Sequence, residues 1–196
     1  INSDGTEVYT ASYGGDWLFK LILQSNSIEE TTLDADYSQD KTDTMGRLNP
    51  VQCVSVQDSL LLISCEGGIW NTEYIPGQIQ LWNTNNMTRI DTWQFDLESK
   101  PWHIINSPNS NRVYIALKGE FDYEESPNSD GVACLSYDEN SLHFEWLTHS
   151  NEFKRLHGID ISDDGNKLYV SGRIDGKLHV LDAPTGDILQ SIYLGP

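Results

Sequence analysis

Positive charge is scarce in this chain. Only 12 Lys and Arg stand against 30 Asp and Glu in 196 residues, giving a net charge of −18 and a pI near 4.3. So acidic a surface has little with which to neutralise phosphates and is repelled by anionic lipid, which argues against nucleic-acid partners and membrane adhesion. No segment approaches the ~18–20 apolar residues of a helical membrane span, so no membrane insertion is expected. Cysteine is rare too: three residues are too few for a disulfide framework and leave one odd. Cys53 and Cys65 are expected to face each other across a hairpin centred on Gln57–Ser59, as free thiols or as a bridge. Cys134 reads as a core residue of a strand. No stretch longer than a turn carries helical periodicity. Gly-x-Ser-x-Gly, phosphate-loop, Cys-x-x-Cys and His-Glu-x-x-His patterns are all missing, so no common catalytic signature is present.

What the chain has is repetition. Taking Tyr9, Leu62, Tyr114 and Tyr169 as equivalent, four copies follow at spacings of 53, 52 and 55 residues. Each copy has a central apolar run: Glu7–Ala11, Leu60–Ser64, Arg112–Ala116 and Lys167–Ser171. A glycine turn then opens the next run, Trp17–Leu23, Gln78–Trp82, Val132–Tyr137 or Lys177–Leu181. A fourth run closes each copy at Ile28–Leu33, Arg89–Phe95, Leu142–Leu147 and Ile188–Leu194. Ahead of the last three copies stands a first run, Val51–Val56, His103–Asn106 and His157–Ile161; the first copy has none. Alternation such as Ile79-Leu81 and Leu178-Val180 fits half-buried strands rich in β-formers. Four short strands joined by tight turns make one blade of a β-propeller, and a blade needs neighbours to bury its faces. The expectation is an all-β fold, one propeller region over 1–196 with four-stranded antiparallel blades near 1–36, 50–97, 101–149 and 156–196. The first blade lacks its innermost strand.

The last copy resembles the YVTN-type repeat of bacterial seven-bladed propellers, a group related to the propeller domains of nitrite and nitrous-oxide reductases. The likeness rests on Ile161-Ser162-Asp163-Asp164-Gly165-Asn166-Lys167-Leu168-Tyr169-Val170-Ser171 and on Val180-Leu181-Asp182-Ala183-Pro184-Thr185-Gly186. Ile79-Gln80-Leu81-Trp82-Asn83 has the flavour of a WD repeat, without the Gly-His and Trp-Asp signatures. The resemblance implies a larger ring whose remaining blades lie elsewhere in the polypeptide or in a second chain. Together with the acidity it suggests a secreted or periplasmic protein.

Strand parity sorts the loops onto two faces. Tight turns fall on one, and the long excursions 34–49, 66–76, 118–130 and 148–156 fall on the other, which marks that face for binding. Loop 66–76 carries Trp70 and Tyr74, and loop 118–130 carries Lys118, Glu120 and Tyr123. Carboxylates interleaved with aromatics suit a cationic or sugar-like ligand, and equally a solvated loop. His103, preceded by Trp102, and His157 begin first strands eleven and twelve residues before their blade's tyrosine, so they are expected to meet at the channel rim on this face. Two readings of the pair stay open. One is a non-catalytic binding or scaffold propeller, taking a protein partner or small ligand at Trp102, His103, His157, Trp70, Tyr74, Tyr123 and Glu120 and needing no cofactor. The other is an enzyme or metalloprotein with His103 and His157 as transition-metal ligands, as the resemblance to nitrous-oxide reductase implies. His179, mid-strand, reads as a packing residue.

Overall fold

In a computed structural model the chain is described over residues 1–12, 15–33, 48–57, 59–70, 73–96, 99–119 and 129–195, with 69, 70, 73 and 74 as backbone only. Every regular element among them is a β-strand. The chain forms two compact units, Ile1–Leu97 with Glu139–Ser141, and Glu98–Asp138 with Leu142–Pro196.

The first unit opens with a three-stranded meander, β1 (Glu7–Ser12), β2 (Trp17–Ile22) and β3 (Ser27–Thr32). Its second sheet has four strands in the order β4 (Pro50–Gln57), β5 (Leu60–Cys65), β8 (Gln78–Asn83) and β9 (Thr88–Gln94). Between β5 and β8 the loop expected over 66–76 contains a two-stranded ribbon, β6 (Gly68–Trp70) and β7 (Glu73–Ile75). Gly67 makes the entry possible: its φ is +71°, and a Cβ there would lie 2.3 Å from the Ile75 carbonyl oxygen. Every residue of β5 is buried, as an uninterrupted Leu-Leu-Leu-Ile run demands when both strand faces are covered. Leu18, Leu61, Ile63, Cys65 and Trp82 form the core here.

One expected pairing is corrected. Cys53 lies opposite Ile63 and Cys65 opposite Pro50, because the hairpin turns more tightly, with Gln57 paired to Leu60, and is bulged at both ends. The two thiols are therefore not a cross-strand pair, and all three cysteines are free.

The second unit holds two complete four-stranded meanders. One is β10 (Pro101–Asn106), β11 (Arg112–Lys118), β12 (Asp130–Tyr137) and β13 (Leu142–His149). The other is β14 (Leu156–Ile161), β15 (Lys167–Gly172), β16 (Lys177–Asp182) and β17 (Ile188–Tyr193). Tyr114, Ala116, Val132 and Cys134 of the first sheet pack with Leu168, Val170, Leu181 and Ala183 of the second, closed over by Phe153 and Leu156. Each fully buried Leu or Phe here contributes about 1.5–3 kcal/mol. The Asp-Gly turn after β14 is built as its sequence suggests: Asp164 accepts the Asn166 amide at 3.0 Å and the Ser162 hydroxyl at 2.6 Å, and Gly165 supplies φ +72°.

Buried carboxylates tie successive blades together. In the first unit Asp16 accepts the amides of Leu48 (2.8 Å) and Asn49 (3.1 Å), just ahead of β4. Asp130 does the same in the second unit, accepting the Leu156 amide at 3.2 Å and a backbone hydrogen bond from Arg155, where β14 begins. Each pins a blade's third strand to the start of the next blade's first.

Candidate functional site

The first strands β10 and β14 pack against one another in the second unit and bring three rings together. His157 lies 5.3 Å from His103 at 71°, and 5.0 Å from Trp102 at 50°; Trp102 and His103 are 6.1 Å apart. The pairing explains the cluster. A shift of 55 residues carries Ile104↔Ile115 onto Ile159↔Val170 and Pro101↔Leu117 onto Leu156↔Gly172. Trp102, and not His103, thus occupies the place of His157, while His103 occupies that of Gly158. Both ladders slip at this point, between Pro101 and Ile104 and between Leu156 and Gly158. A slip breaks the strict alternation of side chains, so the neighbours Trp102 and His103 both reach His157. A counterpart of His103 at Gly158 would displace Ser171: the Gly158 amide donates to Ser171 Oγ at 3.1 Å, and a Cβ would lie 2.8 Å from that oxygen.

Lys118, Arg155 and Arg173 stand close enough to act on His157. Lys118 Nζ sits 3.7 Å above the centre of the Trp102 ring, a cation–π contact that fixes a flexible side chain. Where each inner hairpin begins and ends, the blades repeat one backbone hydrogen bond: Glu66 amide to Asn49 carbonyl, Lys118 to Lys100, and Arg173 to Arg155 (2.9, 3.0 and 3.0 Å). In the second unit both such pairs are cationic. Lys154 is placed alongside, its carbonyl accepting the Ile174 amide at 3.3 Å.

This environment acts on the histidines. Burial holds His103 below the ordinary imidazole value of 6.5, against a hydrogen bond to the His157 backbone that works the other way. His157 is lowered by burial, then by His103, Arg173, Lys118 and Arg155. At neutral pH the site therefore presents two neutral imidazoles beside fixed positive charge. Such a set can donate N–H bonds to a ligand and take up protons as negative charge arrives.

The fit to a transition metal is poor. Two imidazoles meet, but no group of three His, Cys, Asp or Glu occurs among the described residues, and the charges acting on His157 repel a cation.

Of the residues expected at the site, Trp102, His103 and His157 are brought together. Trp70 and Tyr74 fall on β6 and β7 with side chains outside the described set, and Glu120 and Tyr123 lie outside the described residues altogether. Arg155 and Arg173 were not anticipated. The signal was available in the hairpin register, which sets them opposite one another and matches them to Lys100 and Lys118.

A second histidine assembly has the look of a catalytic triad. His179 Nδ1 lies 2.9 Å from Ser191 Oγ and Nε2 lies 3.0 Å from Asp175 Oδ2. His179 is 0 % exposed, with its ring edge-on to Phe153 at 4.9 Å, so the imidazole itself is closed to solvent and the set works as a clamp between strand and turn.

No family model and no curated protein matches this chain. Solved structures do. A functionally unknown protein from Desulfotomaculum acetoxidans DSM 771 superposes with a TM-score of 0.68 at 17% identity, over 100% of this chain and 55% of that one. The β-propeller domain of Cps50 (Swd1) from Myceliophteria thermophila gives 0.67 at 14%, over 100% and 54%. The periplasmic gluconolactonase PpgL of Pseudomonas aeruginosa gives 0.62 at 15%, over 95% and 53%. At such identities the likeness carries the fold: this chain has β-propeller architecture and spans about half the length of those neighbours.

Proposed function

We propose that this chain is the binding part of a non-catalytic β-propeller that takes a small ligand at the Trp102, His103 and His157 cluster. The observation that carries this reading is the convergence of three rings from two blades within 5.0–6.1 Å, at strand starts where Lys118 is fixed over the indole. Imidazoles and an indole face offer directional N–H groups and an apolar plate, the mixture that small-molecule sites use. The other histidine with hydroxyl and carboxylate partners, His179, is fully buried and ties strand to turn. The ring is completed by further blades, in the same polypeptide or in a second copy, a proposal supported by the half-length coverage of the solved propellers. An extracellular or periplasmic site of action is proposed with it, on the acidity of the chain.

The test is a ligand screen read by the histidine resonances of the intact chain. A true ligand shifts His103 and His157 and leaves exposed His143 unmoved, and loses its effect in Trp102→Ala. Turnover of the ligand, or a screen in which shifts gather on other histidines, overturns the proposal.

A further inference from the structure

We propose that the inner edge of β1 is built to receive an extended strand, supplied by the polypeptide that runs into Ile1. The inference rests on the reading that further blades complete the ring and names the source of one strand. It is independent of what the Trp102 cluster binds.

The turn ahead of β1 is the first ground, because it repeats bond for bond the turn that joins β14 to β15. The Asn2 amide donates to the Glu7 carbonyl at 3.1 Å, as the Ser162 amide does to the Lys167 carbonyl at 2.9 Å. The Gly5 amide donates to the Asn2 carbonyl at 3.2 Å, as Gly165 does to Ser162 at 2.8 Å. In return the Glu7 amide reaches Asn2 Oδ1 at 2.9 Å, and the Lys167 amide reaches Ser162 Oγ at 2.9 Å. Asp4 Oδ1 accepts the Thr6 amide where Asp164 Oδ1 accepts that of Asn166, and Gly5 and Gly165 have φ of +73° and +72°. Between β10 and β11 the same closing bond runs from the Ser107 amide to the Arg112 carbonyl at 2.8 Å. In both of those sheets the residue ahead of the closing bond, Asn106 or Ile161, is the last of a first strand. Ile1 holds that place here. A turn of this kind lays two strands side by side.

The edge itself is the second ground. β1 borders a three-stranded sheet, whereas β5, β11 and β15 each have a first strand on the corresponding side. The Leu23 amide donates to the Thr6 carbonyl at 2.9 Å, which fixes the phase of the β1–β2 ladder. Val8 and Thr10, opposite Leu21 and Phe19, therefore exchange bonds with β2, and the backbone of Glu7, Tyr9 and Ala11 is turned to the other side. Asn2 already meets Glu7 there. The Ala11 backbone meets the Cys53 thiol, a weaker partner than a strand carbonyl. Among the described residues no strand pairs with β1 on that side. Carrying over the register Asp160↔Tyr169 sets the residue before Ile1 opposite Tyr9. The strands that fill this place in the other blades bring Val51 and Val54, Ile104 and Ile105, or Ile159 and Ile161. The incoming strand is expected to be of the same β-branched kind.

The experiment joins a copy of Leu156–Asp160 ahead of Ile1 and reads amide hydrogen exchange at Tyr9 together with the urea midpoint. Exchange at Tyr9 is expected to slow about tenfold or more relative to the chain alone, as entry into a hydrogen-bonded ladder brings, and the midpoint to rise. A graft ending in proline in place of its aspartate offers the Tyr9 carbonyl no N–H and should give neither effect. Slow exchange at Leu62, within the buried β5, shows that the first unit is folded in each protein. A Tyr9 amide already protected in the chain alone, or one that the graft leaves unprotected, overturns the inference. Protection of the ungrafted chain that grows with its concentration assigns the edge to a second copy, and the inference falls. The free pentapeptide protecting Tyr9 as well as the graft does would mean that the strand enters from another molecule, and the source in the same polypeptide falls. None of these outcomes moves the His103 and His157 resonances, so the reading of the Trp102 cluster stands or falls separately.

Discussion

The imidazoles of His103 and His157, from adjacent blades, meet edge to face with ring centres 5.3 Å apart. Both are held below 6.5, His103 by burial and His157 by burial and by the charges of His103, Arg173, Lys118 and Arg155. In the unfolded chain each would titrate at its ordinary value. The folded state therefore binds fewer protons, and the stability of having neutral histidines here is present above 6.5 and lost as pH falls below it. Urea midpoints followed downward from neutral pH should drop more steeply for the native chain than for the His103→Gln, His157→Gln double variant. Parallel curves would show that the pair does not titrate in this window.

Asp130 behaves in the opposite sense. Burial pushes its carboxyl up to about 6 from 3.8, although the backbone of Arg155 and Leu156 and the charges of Lys154 and Arg155 pull it down. Its contribution is complete below the unfolded value and is lost as pH rises through about 6. Asp130→Asn keeps an oxygen for the Leu156 amide and removes the charge, so its stability relative to the native chain should grow between about pH 4 and pH 7. Asp130→Ala leaves buried amides without an acceptor and should cost about 1–3 kcal/mol throughout. Denaturation curves of the three proteins over this range decide it; an Asn variant that loses ground with rising pH contradicts the assignment.

The clamp on β17 makes a third prediction. His179 is fully buried between Asp175, whose side chain is 6% exposed, and Ser191. Ser191→Ala removes the hydroxyl's bonds to His179 and to the exposed Glu152 and should cost about 1 kcal/mol. His179→Ala opens a cavity beside Phe153 and strips Asp175 Oδ2 of its imidazole partner, leaving only the Lys177 amide on Oδ1, so a loss of about 3–4 kcal/mol is expected. Equal effects of the two substitutions would mean that the histidine contributes through its hydroxyl contact alone.

The strands were legible because their pattern is period two and their turns carry Gly, Asp and Thr. The expected run Lys167–Ser171 is β15, and Gln78–Trp82 is β8 to within a residue. The β6–β7 ribbon was not legible: its strands are three residues long, too short to show alternation, and depend on the φ of Gly67. Register was the harder quantity. Counting back from Tyr114 and Tyr169 suggested that His103 and His157 are counterparts, whereas the ladders pair Trp102 with the place of His157. The same uncertainty misplaced Cys53 against Cys65. A bulge of one residue is invisible in a hydrophobic pattern yet decides which side chains meet. The cationic pairs escaped notice for a related reason: Arg155 and Arg173 are ordinary strand-end residues until the hairpin register sets them opposite each other.

A buried lysine in the first unit separates an ion pair that matters from one that does not. Lys20 Nζ lies 2.8 Å from Glu7 Oε1, donates to the Thr84 carbonyl at 3.0 Å, and lies 3.9 Å from the half-exposed Glu29. Burial raises the Glu7 carboxyl, but hydrogen bonds from Lys20 and the Tyr9 hydroxyl outweigh it and leave Glu7 below the usual carboxylate range. Only 7% of the Lys20 side chain is exposed, so losing its partner strands a charge that water cannot reach. Glu7→Ala should therefore cost about 2–4 kcal/mol, and Glu29→Ala less than about 1 kcal/mol because that pair is longer and solvated. Lys20→Met combined with Glu7→Gln removes both charges and should recover most of the loss. A double-mutant cycle by urea denaturation measures the coupling directly. If Glu7→Ala and Glu29→Ala prove equally mild, the ammonium of Lys20 reaches water on this side of β2, and the pair is a surface contact.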